Sequence, residues 1–312
     1  MRNKSLFKKI SLCLVLVICV FLSNTTGARA AEARFSVSPM NQKIVLTAGE
    51  TYYGSFKVTN PDVSDAIFEY ELGIKPFTVS DEYNPVFENN GDYNQIVDWI
   101  TLDHRTGSIV PNNTHEIRFR IDVPEDAPAG GQYAAIMVTS ANDDAVEGAV
   151  NIQAKYEIAH IIYAEVSGET VRQGNITNIT APSFLLNSSS FFASAIVENV
   201  GNVHGDAKYS LQIFPLFSDE EIYTTEEDPQ TRIILPGSKR FNATYWPDAP
   251  AFGLFHVVYN VEFEGTKSTL DKFVFICPLW IAITFFIIVF LIIFWLIARS
   301  RSRRRQSSKF SD

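Results

Sequence analysis

Between residues 32 and 270 apolar and polar positions alternate with a period of two. In His115 to Val123 (HEIRFRIDV), Ile117, Phe119, Ile121 and Val123 fall on one side and Glu116, Arg118, Arg120 and Asp122 on the other. Successive side chains of an extended strand point to opposite faces, so this segment predicts a strand with one buried and one wet face. Phe255 to Phe263 repeats the pattern, with Phe255, Val257, Tyr259, Val261 and Phe263 inward and His256, Asn260 and Glu262 outward. Further strands are predicted over residues 51–59, 66–74, 132–140, 149–166, 191–198, 208–214, 231–235 and 238–246. Turn signals separate them, among them Asn60-Pro61, Pro124 to Gly131, Gly201-Asn202 and Pro236-Gly237. No helical period appears in this stretch. Short strands at this spacing predict an all-β fold of two tandem immunoglobulin-like β-sandwiches, residues 31–167 and 168–271.

Both ends break the alternation. Phe273 to Ala298 carries no charge and is followed at once by Arg299, Arg301, Arg303, Arg304 and Arg305. About 20 helical residues cross a bilayer core, so residues 273–298 predict a single transmembrane α-helix. Trp280 and Trp295 lie near its ends, at the depth amphipathic aromatics prefer. The arginines predict a basic cytoplasmic tail over residues 299–312 that orients the chain and meets anionic lipid. At the other end Arg2, Lys4, Lys8 and Lys9 precede an apolar run from Ile10 to Leu22, then small residues at Ala28 and Ala30. That order predicts a secretory signal peptide over residues 1–30. The expected topology is single-pass in the cell membrane, with the sandwiches extracellular and the second of them next to the bilayer.

Composition narrows the chemistry. Residues 31–271 hold fourteen Lys and Arg against thirty-four Asp and Glu, an excess of twenty acidic groups. Such a surface excludes nucleic acid as a natural partner and suits a basic protein partner or plain solvation. Cys13, Cys19 and Cys277 all lie in the two apolar segments, so the exported region has no disulfide. That points to a bacterial surface protein, and each sandwich then needs a full hydrophobic core. No Gly-x-Ser-x-Gly, His-Glu-x-x-His or Cys-x-x-Cys occurs, and the five His are scattered. The acidic clusters at Asp143-Asp144, Glu220-Glu221 and Glu226-Glu227-Asp228 do not match a calcium-loop spacing. The chain is expected to be non-enzymatic, without catalytic residues, cofactor or metal.

Two segments are candidates for recognition. Ser80 to Trp99 sets Tyr83, Phe87, Tyr93 and Trp99 among Asn84, Asn89, Asn90, Asn94 and Gln95. Flat apolar faces beside amide donors and acceptors suit a sugar or a peptide, which makes these four aromatics candidate ligand-binding residues. The competing reading is that they plug the core, Trp99 above all. Phe214, Leu216, Phe217 and Tyr223 around Pro215 form a second apolar strip, either an exposed contact or a core strand with its turn.

Longer stretches carry a resemblance. The first half reads FSVSPMNQKIVLTAGETYYGSFKVTN, VDWITL and RFRIDVPEDAPAGGQYAAIMV; the second reads ASAIVENVGNVHGDAKYSLQIF, ILPGSKRFNATYW and FGLFHVVYNVEF. In order and architecture the chain resembles the WxL-interacting proteins of Gram-positive bacteria. That resemblance implies a peptidoglycan-binding-like and a host-binding-like immunoglobulin-type domain held by one membrane helix. The implied function is a membrane-tethered cell-surface scaffold or adhesion protein that binds an exported surface protein or a peptidoglycan wall polymer. The Pro-Glu-Asp-Ala-Pro-Ala-Gly and Asn-Val-Gly-Asn turns are similar to those of PapD-like chaperones too. The alternative is therefore a membrane-anchored assembly factor for exported subunits, which requires an exposed, unpaired edge strand.

Overall fold

Rows of alternating apolar side chains have to be hidden from water, and two β-sandwiches hide them. The computed structural model describes residues 35–307, apart from 62–65, 81–83, 90, 142–143, 146–152, 187–190 and 219. The expected signal peptide lies outside the described residues. The first sandwich contains β1 (Ser36–Ser38), β2 (Asn41–Leu46), β3 (Thr51–Asn60), β4 (Phe68–Pro76), the short pair β5 (Thr78–Val79) and β6 (Pro85–Val86), β7 (Ile100–Leu102) and β8 (Thr106–Ile109). It continues with β9 (Asn113–Asp122), β10 (Gly130–Ser140), the short pair β11 (Asp144–Ala145) and β12 (Gln153–Ala154), and β13 (Glu157–Val166). One sheet has the order β1-β3-β9-β7 and the other β2-β13-β10-β4-β8. Ile117, Phe119 and Ile121 of β9 face Ala134, Ile136 and Val138 of β10 in one core, as the alternation predicts. The chain changes sheets at Pro39: β1 pairs antiparallel with β3, and β2 runs parallel to β13.

The second sandwich repeats the device. Its strands are β14 (Gly174–Thr180), β15 (Phe184–Leu185), β16 (Phe192–Asn199), β17 (Gly205–Pro215), β18 (Tyr223–Thr224), β19 (Gln230–Ile234), β20 (Lys239–Tyr245), β21 (Gly253–Phe263) and β22 (Thr266–Ile276). β14, β16 and β20 make one sheet; β15, β22, β21 and β17 make the other, with β18 and β19 both on β17. Here too the leading segment crosses over, β14 antiparallel to β16 and β15 parallel to β22. Phe263 fills the top of this core. A Cβ on Gly174 would lie 2.2 Å from its ring and one on Gly205 2.6 Å, so the two glycines make the slot the ring occupies.

Three expectations change. The apolar run beginning at Phe273 is strand before it is helix: β22 continues to Ile276, with Val274 and Ile276 wholly buried. The second sandwich therefore extends past residue 271, and the helix, α2, runs Leu279–Ser307 instead of 273–298. A run apolar on both strand faces carries no period, so the break shows only at Pro278, which lacks an N–H for the ladder. The stretch Leu279–Ile297 is the one among the described residues long and apolar enough to cross a membrane, and none of it is buried against the sandwiches. The side chains of Arg299, Arg301, Arg303, Arg304 and Arg305 lie outside the described set. Finally, residues 91–99 are helical, a 3₁₀ turn at Gly91–Asn94 followed by α1 (Ile96–Trp99). Such short turns complete no apolar period.

Phe263→Ala should empty the slot between the two glycines and destabilise the second sandwich by about 3–5 kcal/mol. Urea unfolding of the full chain in detergent micelles, followed by near-ultraviolet circular dichroism, measures it.

Candidate functional site

The site forms because β10 cannot leave either face in water. All eleven of its residues are buried. Ala134, Ile136 and Val138 point into the first core, while Tyr133, Ala135 and Met137 point outward. That outward row is covered by Phe77, Val79, Phe87 and Tyr93 from the same sandwich and by Ile233 and Leu235 from the second. The third cluster thus crosses the domain boundary.

This packing decides the fate of the candidate ligand-binding aromatics. Trp99 is only 9% exposed and belongs to the first core. Phe87 lies 6.2 Å from the Phe77 ring and Tyr93 6.4 Å from that of Tyr133, both half-buried on the third cluster. The amides serve the backbone: Asn94 Nδ2 donates to the carbonyls of Phe77 (3.0 Å) and Tyr133 (2.7 Å). Gln132 Oε1 accepts from the Ile96 N–H at 3.2 Å, and its Nε2 donates to the Asp92 carbonyl at 2.7 Å. Phe87, Tyr93 and Trp99 therefore form no exposed platform, and Tyr83 lies outside the described residues. The same residue types serve a sugar platform and a core plug; only the apolar surface beneath decides between them.

The turn after β16 joins the sandwiches. Asn202 accepts from Gly131 N–H through its carbonyl (2.7 Å) and from Val171 N–H through Oδ1 (2.7 Å). Gly130 has φ +122°, and a Cβ there would lie 2.7 Å from the Asn202 carbonyl oxygen, so the contact needs a glycine. Asn199 Nδ2 donates to Val203 O (2.8 Å) and Ile234 O (2.9 Å), which fixes the turn on its own sandwich. The turn residues legible in sequence are therefore one half of an interdomain joint. The long apolar run of β10 was the signal for the other half, because a strand buried on both faces loses its alternation.

Beside the joint opens a cleft of about 430 Å³, lined by Lys43, Val45, Glu165, Arg172, His204, Asp206, Glu262 and Glu264. Charged pairs span it. Lys43 of the first sandwich meets Asp206 of the second at 2.5 Å, and Arg172 lies 2.5 Å from Glu165 and 3.7 Å from Glu264. At the floor His204 packs edge-on to Tyr133 and tilted to Tyr163, at 5.8 and 5.6 Å. Burial, then the charge of Lys43, pulls the His204 pKa down to about 4. Burial likewise raises that of the Tyr133 hydroxyl. Among the described residues no group of three or more His, Cys, Asp or Glu is placed to hold a metal ion.

β2 forms one wall of the cleft and is an edge strand. The carbonyls of Met40, just before it, and of Leu46 at its end accept from the Ile161 and Ser167 N–H groups at 2.9 and 2.8 Å. In a parallel ladder alternate residues bond to the neighbour, so Asn41, Lys43 and Val45 turn their backbone N–H and C=O to the other side, where no strand pairs among the described residues. Val45 is 68% exposed there.

No protein-family model and no curated protein matches the chain. Solved structures similar to it include fimbrial chaperones. The class 5 fimbriae chaperone CfaA is 13% identical, with a TM-score of 0.37 over 78% of this chain and 100% of that one. The YadV chaperone is 10% identical, with a TM-score of 0.38 over 77% and 100%. The Salmonella enterica SafB chaperone complex with the SafA pilin gives 12% identity and a TM-score of 0.35 over 79% and 99%. The strand order and the two-sheet packing of each half are those of an immunoglobulin-like sandwich.

A histidine in the unfolded chain takes up its proton near pH 6.5, whereas His204 does so only near pH 4. Between those values the unfolded state binds more protons, so stability is full above about pH 6.5 and falls as the pH drops toward 4, by an amount on the order of 3 kcal/mol. His204→Gln is expected to reduce that slope. His160, whose pKa burial also lowers, leaves part of it. Urea midpoints of both proteins across pH 4–7 provide the measurement.

Proposed function

We propose that this protein is a membrane-tethered, non-enzymatic binding module, which receives an extended segment of an exported protein as an added strand on β2. The observation that carries the reading is the open edge of β2 at the mouth of the interdomain cleft. An edge strand offers a row of unpaired N–H and C=O groups, and strand addition uses them for affinity and alternate side-chain positions for specificity. Lys43 and Val45 supply those positions, and the joint holds the edge and the second sandwich's wall in fixed register. This reading follows the assembly-factor alternative raised by the sequence rather than the scaffold or adhesion reading, with β2 proposed as the partner's seat. The acidic excess suits a basic segment better than an anionic wall polymer. α2 acts as the tether, the arginines of its C-terminal part keep the C-terminus in the cytoplasm, and the sandwiches stand outside, as in the WxL-interacting proteins that the chain resembles.

The test combines a photo-crosslinking residue at Asn41 with Val45→Pro, which removes an N–H that β13 does not use. In the full chain on cells, the crosslinker is expected to mark a segment of an exported protein. Val45→Pro should lower that yield by about tenfold or more, the equivalent of one or two lost hydrogen bonds, with the melting temperature unchanged. Equal yields in the two proteins, or wall fragments as the only adduct, would sink the proposal.

A further inference from the structure

The exposed apolar residues of the second sandwich are not scattered. The end of the sandwich from which α2 leaves is fixed by register: Ile276 of β22 pairs Gly253 of β21, Phe255 of β21 pairs Pro215 of β17, and Leu185 of β15 lies beside Ile276. At this end lie Phe217 (96% exposed), Phe252 (54%), Phe184, Leu186 and Phe273. Phe192 and Tyr245 pair with each other across β16 and β20 close by. Phe217 and Phe252 sit on the loops that follow β17 and precede β21, and Phe252 stacks edge-on to Phe275 at 5.7 Å. A groove of about 520 Å³ runs into this end between Phe214, Leu216, Phe217 and Phe273. The opposite end carries the hydrogen-bonded joint and the charged cleft instead.

We infer that this end of the second sandwich is a lipid-contacting collar whose loop tips, Phe217 and Phe252, insert into the bilayer interface beside α2. The inference rests on reading α2 as the membrane span. Continuity selects the occupant: only Cys277 and Pro278 separate the last strand residue from the helix, so a bilayer around α2 must lie against these loops. Trp280, 69% exposed in the first turn of α2, extends the aromatic ring onto the helix at the depth where aromatics anchor. The charges nearby are acidic, Glu220, Glu221 and Asp248, all exposed, and the Lys272 amine donates to the Ala181 carbonyl at 2.8 Å. The contact is therefore apolar in origin and needs no anionic lipid, unlike the one expected of the arginine tail.

The experiment uses the full chain in phosphatidylcholine nanodiscs containing a phospholipid with a diazirine at the top of one acyl chain, and maps adducts by mass spectrometry. Adducts are expected on residues 215–218 and 249–254 as well as on 279–297. In the double variant Phe217→Asp with Phe252→Asp the loop adducts should drop by about tenfold or more, the factor attached to burying a phenylalanine, while helix adducts stay constant. Adducts on the helix alone in the unaltered chain overturn the collar and leave the tether standing. No adduct on either set overturns the tether and the collar together.

Discussion

A strand with apolar side chains on both faces needs two partners, and β10 obtains part of the second from outside its own sandwich. Without Ile233 and Leu235 of the second sandwich, part of the row Tyr133, Ala135 and Met137 would face water. Covering them requires the Phe77–Trp99 segment over one part and the second sandwich over the rest. The joint at Gly131 and Asn202, the placement of Leu235, and the closeness of Lys43 to Asp206 all follow from that requirement. Exposed ion pairs contribute little individually. Those across the cleft set its character more than they hold it shut.

Much of the fold was legible because alternation is a direct record of burial. Ile117, Phe119, Ile121 and Val123 sit where their spacing puts them, and so do the five inward residues of β21. What escaped shares one cause, a pattern consistent with two environments. Phe273 to Ile276 is as apolar as a membrane helix and as apolar as a strand lying next to one. Phe87, Tyr93 and Trp99 are the residues of a sugar platform and equally of a core lid. β2 escaped for a different reason: neither its open side nor the cleft beside it exists until β13 and β17 are brought together.

The second sandwich is polarised along its strands. One end is held by backbone bonds from Asn199 and Asn202 and borders carboxylates and cations. The other is ringed by phenylalanines with few hydrogen-bonding duties. The arrangement divides the domain between two neighbours of opposite chemistry, a partner domain that demands fixed geometry and a medium that demands only apolar surface. Sequence order alone hides this, because Phe184, Phe217, Phe252 and Phe273 lie far apart along the chain and come to one end only through the register of the strands.

The way the chain leaves the second sandwich also settles how it bears load. β22 shares eleven register positions with β21, and at its last two residues, Phe275 and Ile276, it is also flanked by β15. A pull on the helix acts along the axis of β22, so the ladder to β21 resists as a set in shear and does not open one rung at a time from a free edge. Forced unfolding is governed by the barrier to that first rupture. Tension applied through the helix therefore reaches the sandwich as a load shared along that ladder.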